Sequence, residues 1–268
     1  MKTSINKIAI IQIIAGLLVL TGGLILLPIQ EWLTRLIQDE FVAEYTALLL
    51  KMSIILTIGY KSISTLKIQK TAGLSNNLPW GFKVLNLIPV YLFVLGILSV
   101  IGKDLASVSI PNVVLLLAAC LTVGFAEEFV FRGVIQSLLL KKIGMRKNGV
   151  FLSILFSSLL FGAFHLLNLF KVENQGQVLV QVAFATFIGF FFGALLLKTN
   201  KLIPIALTHG LINFFFSLSI LPAIKIPENE VAETPSLAPI VLFFPLFVAG
   251  ILIYRNLNKN RILDQINP

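Results

Sequence analysis

The chain has 268 residues, 57% hydrophobic and only 12% charged, with a mean hydropathy of +0.95. A soluble domain carries about 25% charged residues, so this composition excludes one and leaves a polytopic membrane protein. The formal net charge of +9 does not indicate nucleic acid: basic residues lie in short loops between apolar runs, where they set topology, and no basic face with interleaved aromatics appears.

A membrane span needs about 20 apolar residues. Taken in chain order, eight candidates stand at 8–29, 41–60, 84–101, 112–140, 149–170, 178–197, 202–221 and 237–254. The first is too long for a signal-peptide core and ends in no small-x-small cleavage site, so it is read as an uncleaved span. The fourth is too long for a straight crossing and is expected to be tilted or broken near Gly124. The 61–83 loop is polar and basic; the 222–236 loop is acidic and holds Pro222, Pro227 and Pro235. Cys120, the one cysteine, makes no internal disulfide and no cysteine-based zinc site, and reads as a small buried apolar residue. In hydrocarbon only helices and closed barrels satisfy their own backbone, and continuous 20-residue runs are not barrel strands. The expected fold is therefore all-α: a helix bundle in a single integral-membrane domain spanning 1–268.

Eight crossings put both termini on one side. Fifteen Lys and Arg fall on that side, and only Arg35, Lys103, Lys171 and Lys225 on the other, while Lys51 and Arg132 lie inside spans. The imbalance predicts cytoplasmic termini. Eight acids run the opposite way: Glu31, Asp39, Glu40, Asp104, Glu173, Glu228, Glu230 and Glu233.

Polar side chains are costly in the bilayer, on the order of 2.5–3.5 kcal/mol for a charge at its centre on insertion scales, so those present call for a use. Three clusters stand out. Glu127 and Glu128 are adjacent, with Arg132 one turn after Glu128. Residues i and i+4 share a helix face and neighbours point about 100° apart, so Glu128 is expected to pair with Arg132 while Glu127 faces a cavity. Phe161 stands one turn before His165, with Gly162 and Ala163 leaving room beside the imidazole. His209 and Asn213 are four apart and offer two N–H donors to one point. Each cluster alone also reads as a structural ion pair, a packed histidine or an interhelical hydrogen bond. Three on separate helices, using both histidines of the chain and its paired core acids, are most economically explained by one water-filled pocket. Ala185, Gly189 and Gly193, at four-residue spacing, read as a helix-packing stripe.

The ordered set Glu127-Glu128-Arg132, Phe161-His165 and His209-Asn213 resembles the CPBP family of intramembrane proteases, which includes CAAX-prenyl endopeptidases and bacteriocin-processing or immunity (Abi) proteins. The resemblance covers roughly 112–221 and departs at none of these positions. It implies peptide-bond hydrolysis within a bilayer, a bacterial cell membrane as location, and a prenylated C-terminus, leader peptide or membrane-protein segment as substrate, reached from the lipid or the cytoplasmic side. No serine-nucleophile elbow is present. The residues suffice for water attack: Glu127, helped by His165, deprotonates a water; His209 and Asn213 donate to the oxyanion; Glu128 and Arg132 hold the helix and tune Glu127; Phe161 shapes the wall. The same atoms allow zinc on Glu127, His165 and His209, but there is no His-Glu-x-x-His and an amide suits an oxyanion hole better, so a metal-free site is favoured. The rival functions are a non-catalytic immunity or peptide-binding protein and a proton-coupled transporter; against the latter, no second half repeats the first. One difficulty is geometric. At 1.5 Å per residue, His209 lies roughly 10 Å, and His165 roughly 24 Å, from the cytoplasmic ends of their spans, so straight helices with these boundaries would hold the imidazoles apart.

Overall fold

A computed structural model describes residues 7–75, 83–102, 106–170, 174–222 and 234–266, and every regular element among them is helical. Seven helical stretches are long and apolar enough to cross a membrane. Much of the acidic 222–236 loop, with Pro227, and the charges at Lys103, Asp104, Lys171, Glu173 and Lys225 lie outside the described residues.

Helix α1 (Lys7–Leu26) stops before Pro28, and a short α2 (Ile29–Ile37) follows. α2 is amphipathic, with Glu31 in its first turn, Arg35 in its last, and Trp32 and Leu36 exposed. Asp39 caps α3 (Glu40–Thr65) by accepting from the Val42 N–H at 3.0 Å. Lys51, buried within α3, donates from Nζ to the Ile25 carbonyl at 3.0 Å. It thereby satisfies one of the carbonyls that a helix end leaves without an internal partner.

The expected third span, 84–101, differs from a full crossing helix. A 3₁₀ turn at Lys83–Leu87 leads to Pro89, and only the nine residues of α4 (Val90–Leu98) are α-helical. Proline has no N–H to give a helix interior, so the helix restarts after it. The chain nonetheless returns from one end of the bundle to the other here, because the helices on either side run parallel. The next rod consists of α5 (Ile110–Glu128), a π-helical segment at Phe129–Gln136 and α6 (Ser137–Ile143). Gly59 of α3 faces Phe129, and Ile63 faces Gly133, while Tyr45 lies with Cys120, so both chains advance in the same direction.

This rod is not broken at Gly124. A Cβ there would stand 2.7 Å from the Ala206 carbonyl oxygen and 2.7 Å from Gly210 Cα, so Gly124 is where the backbones of α5 and α9 (Leu202–Ser217) cross in contact. The departure from regular α-geometry lies instead at Phe129–Gln136, directly after the glutamate pair.

α7 (Gly149–Phe164) and α8 (Gln175–Thr199) pack antiparallel, and α10 (Ala238–Arg255) lies parallel to α8 with Phe184 on Phe243 and Phe190 on Phe247. Gly162 faces Thr186 across the α7–α8 contact, so the room it makes serves helix packing rather than His165. The final helix α11 (Lys259–Ile266) tucks Ile266 against Gly144. The two described termini therefore lie at the same end of the bundle.

The basic 61–83 stretch is more than a solvated loop. After Lys67, at φ 51°, the chain folds back and buries Ile68, Thr71 and Ala72. The Leu202 N–H donates to the Gly73 carbonyl at 3.2 Å, so this segment roofs the α8–α9 turn, whose Thr199, Asn200 and Leu202 are buried in consequence. α9 thus begins inside the protein rather than at its surface. The two imidazoles, which straight spans would hold apart, both meet the ring of Phe161, at 4.9 Å for His165 and 5.9 Å for His209 between centroids.

Candidate active site

Glu127 and Glu128 close α5 and point in different directions, as a 100° step requires. Glu128 is wholly buried, and its Oε1 lies 2.9 Å from Arg132 Nη1, the expected pair. The same Oε1 lies 2.8 Å from Nδ1 of His209 on α9. A carboxylate only accepts, so Nδ1 carries the proton and donates, which leaves Nε2 free for chemistry. Nε2 is 3.5 Å from Oε2 of Glu127, whose side chain is 16% exposed and lines the cavity. A chain of close contacts therefore runs Arg132, Glu128, His209, Glu127, from a dry interior to an accessible carboxylate, its last step at 3.5 Å being the longest.

Arg132 is also held by rings. Its guanidinium lies 4.2 Å from the centre of Phe161 and 5.9 Å from that of Phe192. Those two rings also flank His209, at 5.9 Å and 5.5 Å between centroids. A cation over an aromatic face gains about 2 kcal/mol or more when desolvated, which offsets part of the cost of burying the charge. The stripe on α8 supplies the remaining space. A Cβ on Gly189 would meet Arg132 Nη2 at 3.0 Å and the Phe161 ring at 3.2 Å; one on Gly193 would meet Gln136 Oε1 at 2.5 Å. The stripe is packing, as its spacing suggests, but what it admits is the support of the site. Gly189→Val is accordingly expected to cost about 1–3 kcal/mol by overpacking and to lower turnover with it, as measured by thermal unfolding and activity of the purified variant.

His165 stands at the C-terminal end of α7 with Nδ1 2.9 Å from the Phe161 carbonyl and its ring edge-on to Phe161, 4.9 Å between centroids. Nδ1–H is the donor in that contact, so its Nε2 is the nitrogen left for a ligand. A cavity of about 490 Å³ gathers Glu127, Phe161, His165, His209 and Asn213. Glu128 and Arg132 stand behind this wall. The structure thus brings together all seven residues singled out from the sequence, with two changes. The imidazole beside Glu127 is His209, while His165 is tied to its own helix. His209, expected beside Asn213 as an oxyanion donor, is turned onto the two glutamates instead.

Several site residues were missed from sequence. Gln136, fully buried one turn beyond Arg132, donates from Nε2 to the Gly193 carbonyl at 3.0 Å. Its spacing continues the ladder Glu128, Arg132, Gln136, a signal that was there to read. Asn168 donates to Gln181 at 2.8 Å on the cavity wall, and both are polar residues near the ends of apolar runs. Phe192 lies in a run of three phenylalanines and carries no distinguishing mark. Among the described residues, no group of three His, Cys, Asp or Glu side chains is placed to hold a metal ion.

Residues 109–215, which contain all seven positions, match the model of a protein family described as type II CAAX prenyl endopeptidase, Rce1-like. No curated protein and no solved structure matches the chain. This motif-bearing core, about two fifths of the chain, is thus similar to the CAAX-protease family of intramembrane proteases.

Proposed function

We propose that the chain hydrolyses a peptide bond in the cavity by metal-free water attack, with Glu127 as general base. The observation that carries this is that series of contacts: an accessible carboxylate, Glu127, stands beside an imidazole whose other nitrogen is fixed on the buried pair Glu128 and Arg132. Asn213 on the cavity wall, an amide better suited to an oxyanion than to zinc, supports the metal-free form.

A water between Glu127 and the scissile carbonyl loses its proton to Glu127 as it attacks carbon. The tetrahedral oxyanion is met by the side-chain amide N–H of Asn213, which lines the cavity. The proton on Glu127 then passes to the departing amine, completing addition of one water across the C–N bond. His209 stands beside Glu127 and is itself held by Glu128, so the pair keeps its orientation through the cycle. Neither Glu128 nor Arg132 touches substrate in this scheme; both are positioning residues. Removing one oxyanion donor costs about 10²–10³ in rate. Asn213→Ala is therefore expected to lower kcat by that factor with little change in KM, read in a reconstituted cleavage assay.

Substrates are of the class the family takes: a prenylated protein tail, a leader peptide or a segment of a membrane protein. The experiment that tests the proposal compares cell-envelope peptides from cells producing the intact chain with those from cells producing Glu127→Gln. Products that vanish and precursors that accumulate in the variant support hydrolysis. An unchanged peptide profile with an unchanged phenotype would favour a peptide-binding or immunity protein that keeps the fold without cleaving.

A further inference from the structure

The cavity lies in one half of the bundle, and every helix agrees on which half. On α1 the lining residue is Ile25, at the end away from Lys7; on α3 the lining runs from Tyr45 to Met52, in its first half, rather than through the stretch near Lys61. On α7 and the turn after it the lining runs through Phe164 and Asn168, at the end away from Arg146 and Lys147. α8 contributes Gln181, near its start, whereas Lys198 and Lys201 follow its other end. α9 contributes Asn213 and Ser217, at the end away from Lys201. α10 contributes its first residues and carries Arg255 at the opposite end.

Thus the basic residues at 61–70, 141–147, 198–201 and 255–261 cluster at one end of the bundle, and the residues that line the cavity lie toward the other. The described charges at the cavity end are Arg35 with Glu31, Asp39, Glu40 and Glu44, an acidic balance. Lys and Arg excess in short loops marks the cytoplasmic side of a membrane protein, and acids contribute little to that choice. α2, with Trp32 and Leu36 exposed on its apolar face, follows α1 at the cavity end and has the character of a helix lying in a lipid–water interface.

The geometry points to a catalytic cavity that opens away from the cytoplasm, and hence to a substrate presented on the far side of the membrane: an exported peptide or the outward-facing segment of a membrane protein, not a tail anchored in the cytoplasmic leaflet. This deepens the hydrolase reading and rests on it for the word substrate; the sidedness rests on charge and geometry alone. Of the two routes the sequence left open, from the lipid or from the cytoplasm, it sets aside the second.

The test separates the two. In a Cys120→Ala background, single cysteines are placed at Asn168, in the cavity lining, and at Arg146, at the basic end, and the full-length variants are produced in bacterial cells. A membrane-impermeant maleimide is expected to label Asn168→Cys in intact spheroplasts at least about tenfold faster than Arg146→Cys, with the difference lost on lysis. The opposite order would overturn the inference whatever the activity. Cleavage sites found by comparing Glu127→Gln with intact protein are then mapped onto substrate topology. Cuts in exported or outward-facing segments support the assignment, and cuts in cytoplasmic tails overturn it while leaving hydrolysis standing. If no peptide changes, the hydrolase reading fails, and the labelling order still decides on which side the cavity opens.

Discussion

Glu127→Gln is expected to lower kcat by at least about 10³-fold while KM stays within a few-fold of its original value. A general base contributes about 10²–10⁴, and Gln is nearly isosteric, so the cavity wall and its contacts persist while the proton acceptor is lost. Glu127→Asp keeps the charge but draws it back by one methylene. Misplacing a reacting group by about 1 Å can cost about 10²-fold, and a loss of that order is expected. Steady-state kinetics in proteoliposomes with a peptide from the envelope comparison provide the measurement. A variant that lost KM rather than kcat would mean that Glu127 binds substrate instead of activating water.

Arg132→Met is expected to have the largest effect on stability. Arg132 is buried on every side, ion-paired with Glu128 and placed over the Phe161 ring. Breaking a buried ion pair from one side costs about 3–5 kcal/mol, because the remaining charge stays buried without its partner. For a chain of this size that corresponds to a fall in unfolding temperature on the order of 10 °C. The double variant Arg132→Met with Glu128→Gln removes both charges, and replacing a buried pair as a unit is often near neutral. Stability is therefore expected to recover substantially while activity does not, since His209 Nδ1 loses the carboxylate that orients it. Arg132→Lys is not a conservative change here: an ammonium cannot lie flat over Phe161.

The helical membrane fold and the seven site residues were legible because hydrocarbon penalises both unpaired backbone and idle charge. Glu127, Glu128, Arg132 and the two histidines announce themselves by standing where polar groups are costly. The Glu128–Arg132 pair followed from local helix geometry alone. What was not legible depends on relations between helices. The offset of α9 arises because Ile68, Thr71 and Ala72 fold over the α8–α9 turn, and nothing in a basic, polar stretch signals that it will be buried. The partner of His209 could not be read either, since residues 128 and 209 are brought together by the Gly124–Gly210 crossing, and the sequence offers Gly124 as a possible break as readily as a contact. The shortness of α4 was accessible in principle: Pro89 stands inside the 84–101 run, and proline breaks a helix wherever its missing N–H is needed.

The central claim is that Glu127 directs water onto a peptide bond within the cavity. It is tested most directly by incubating the purified, reconstituted protein with a peptide substrate in ¹⁸O-labelled water and reading both new termini by mass spectrometry. The account predicts a single cut, one labelled oxygen in the new carboxyl group, persistence of the reaction in the presence of chelator, and loss of the product with Glu127→Gln. A peptide recovered bound but intact, or a cut made equally by Glu127→Gln, would contradict it.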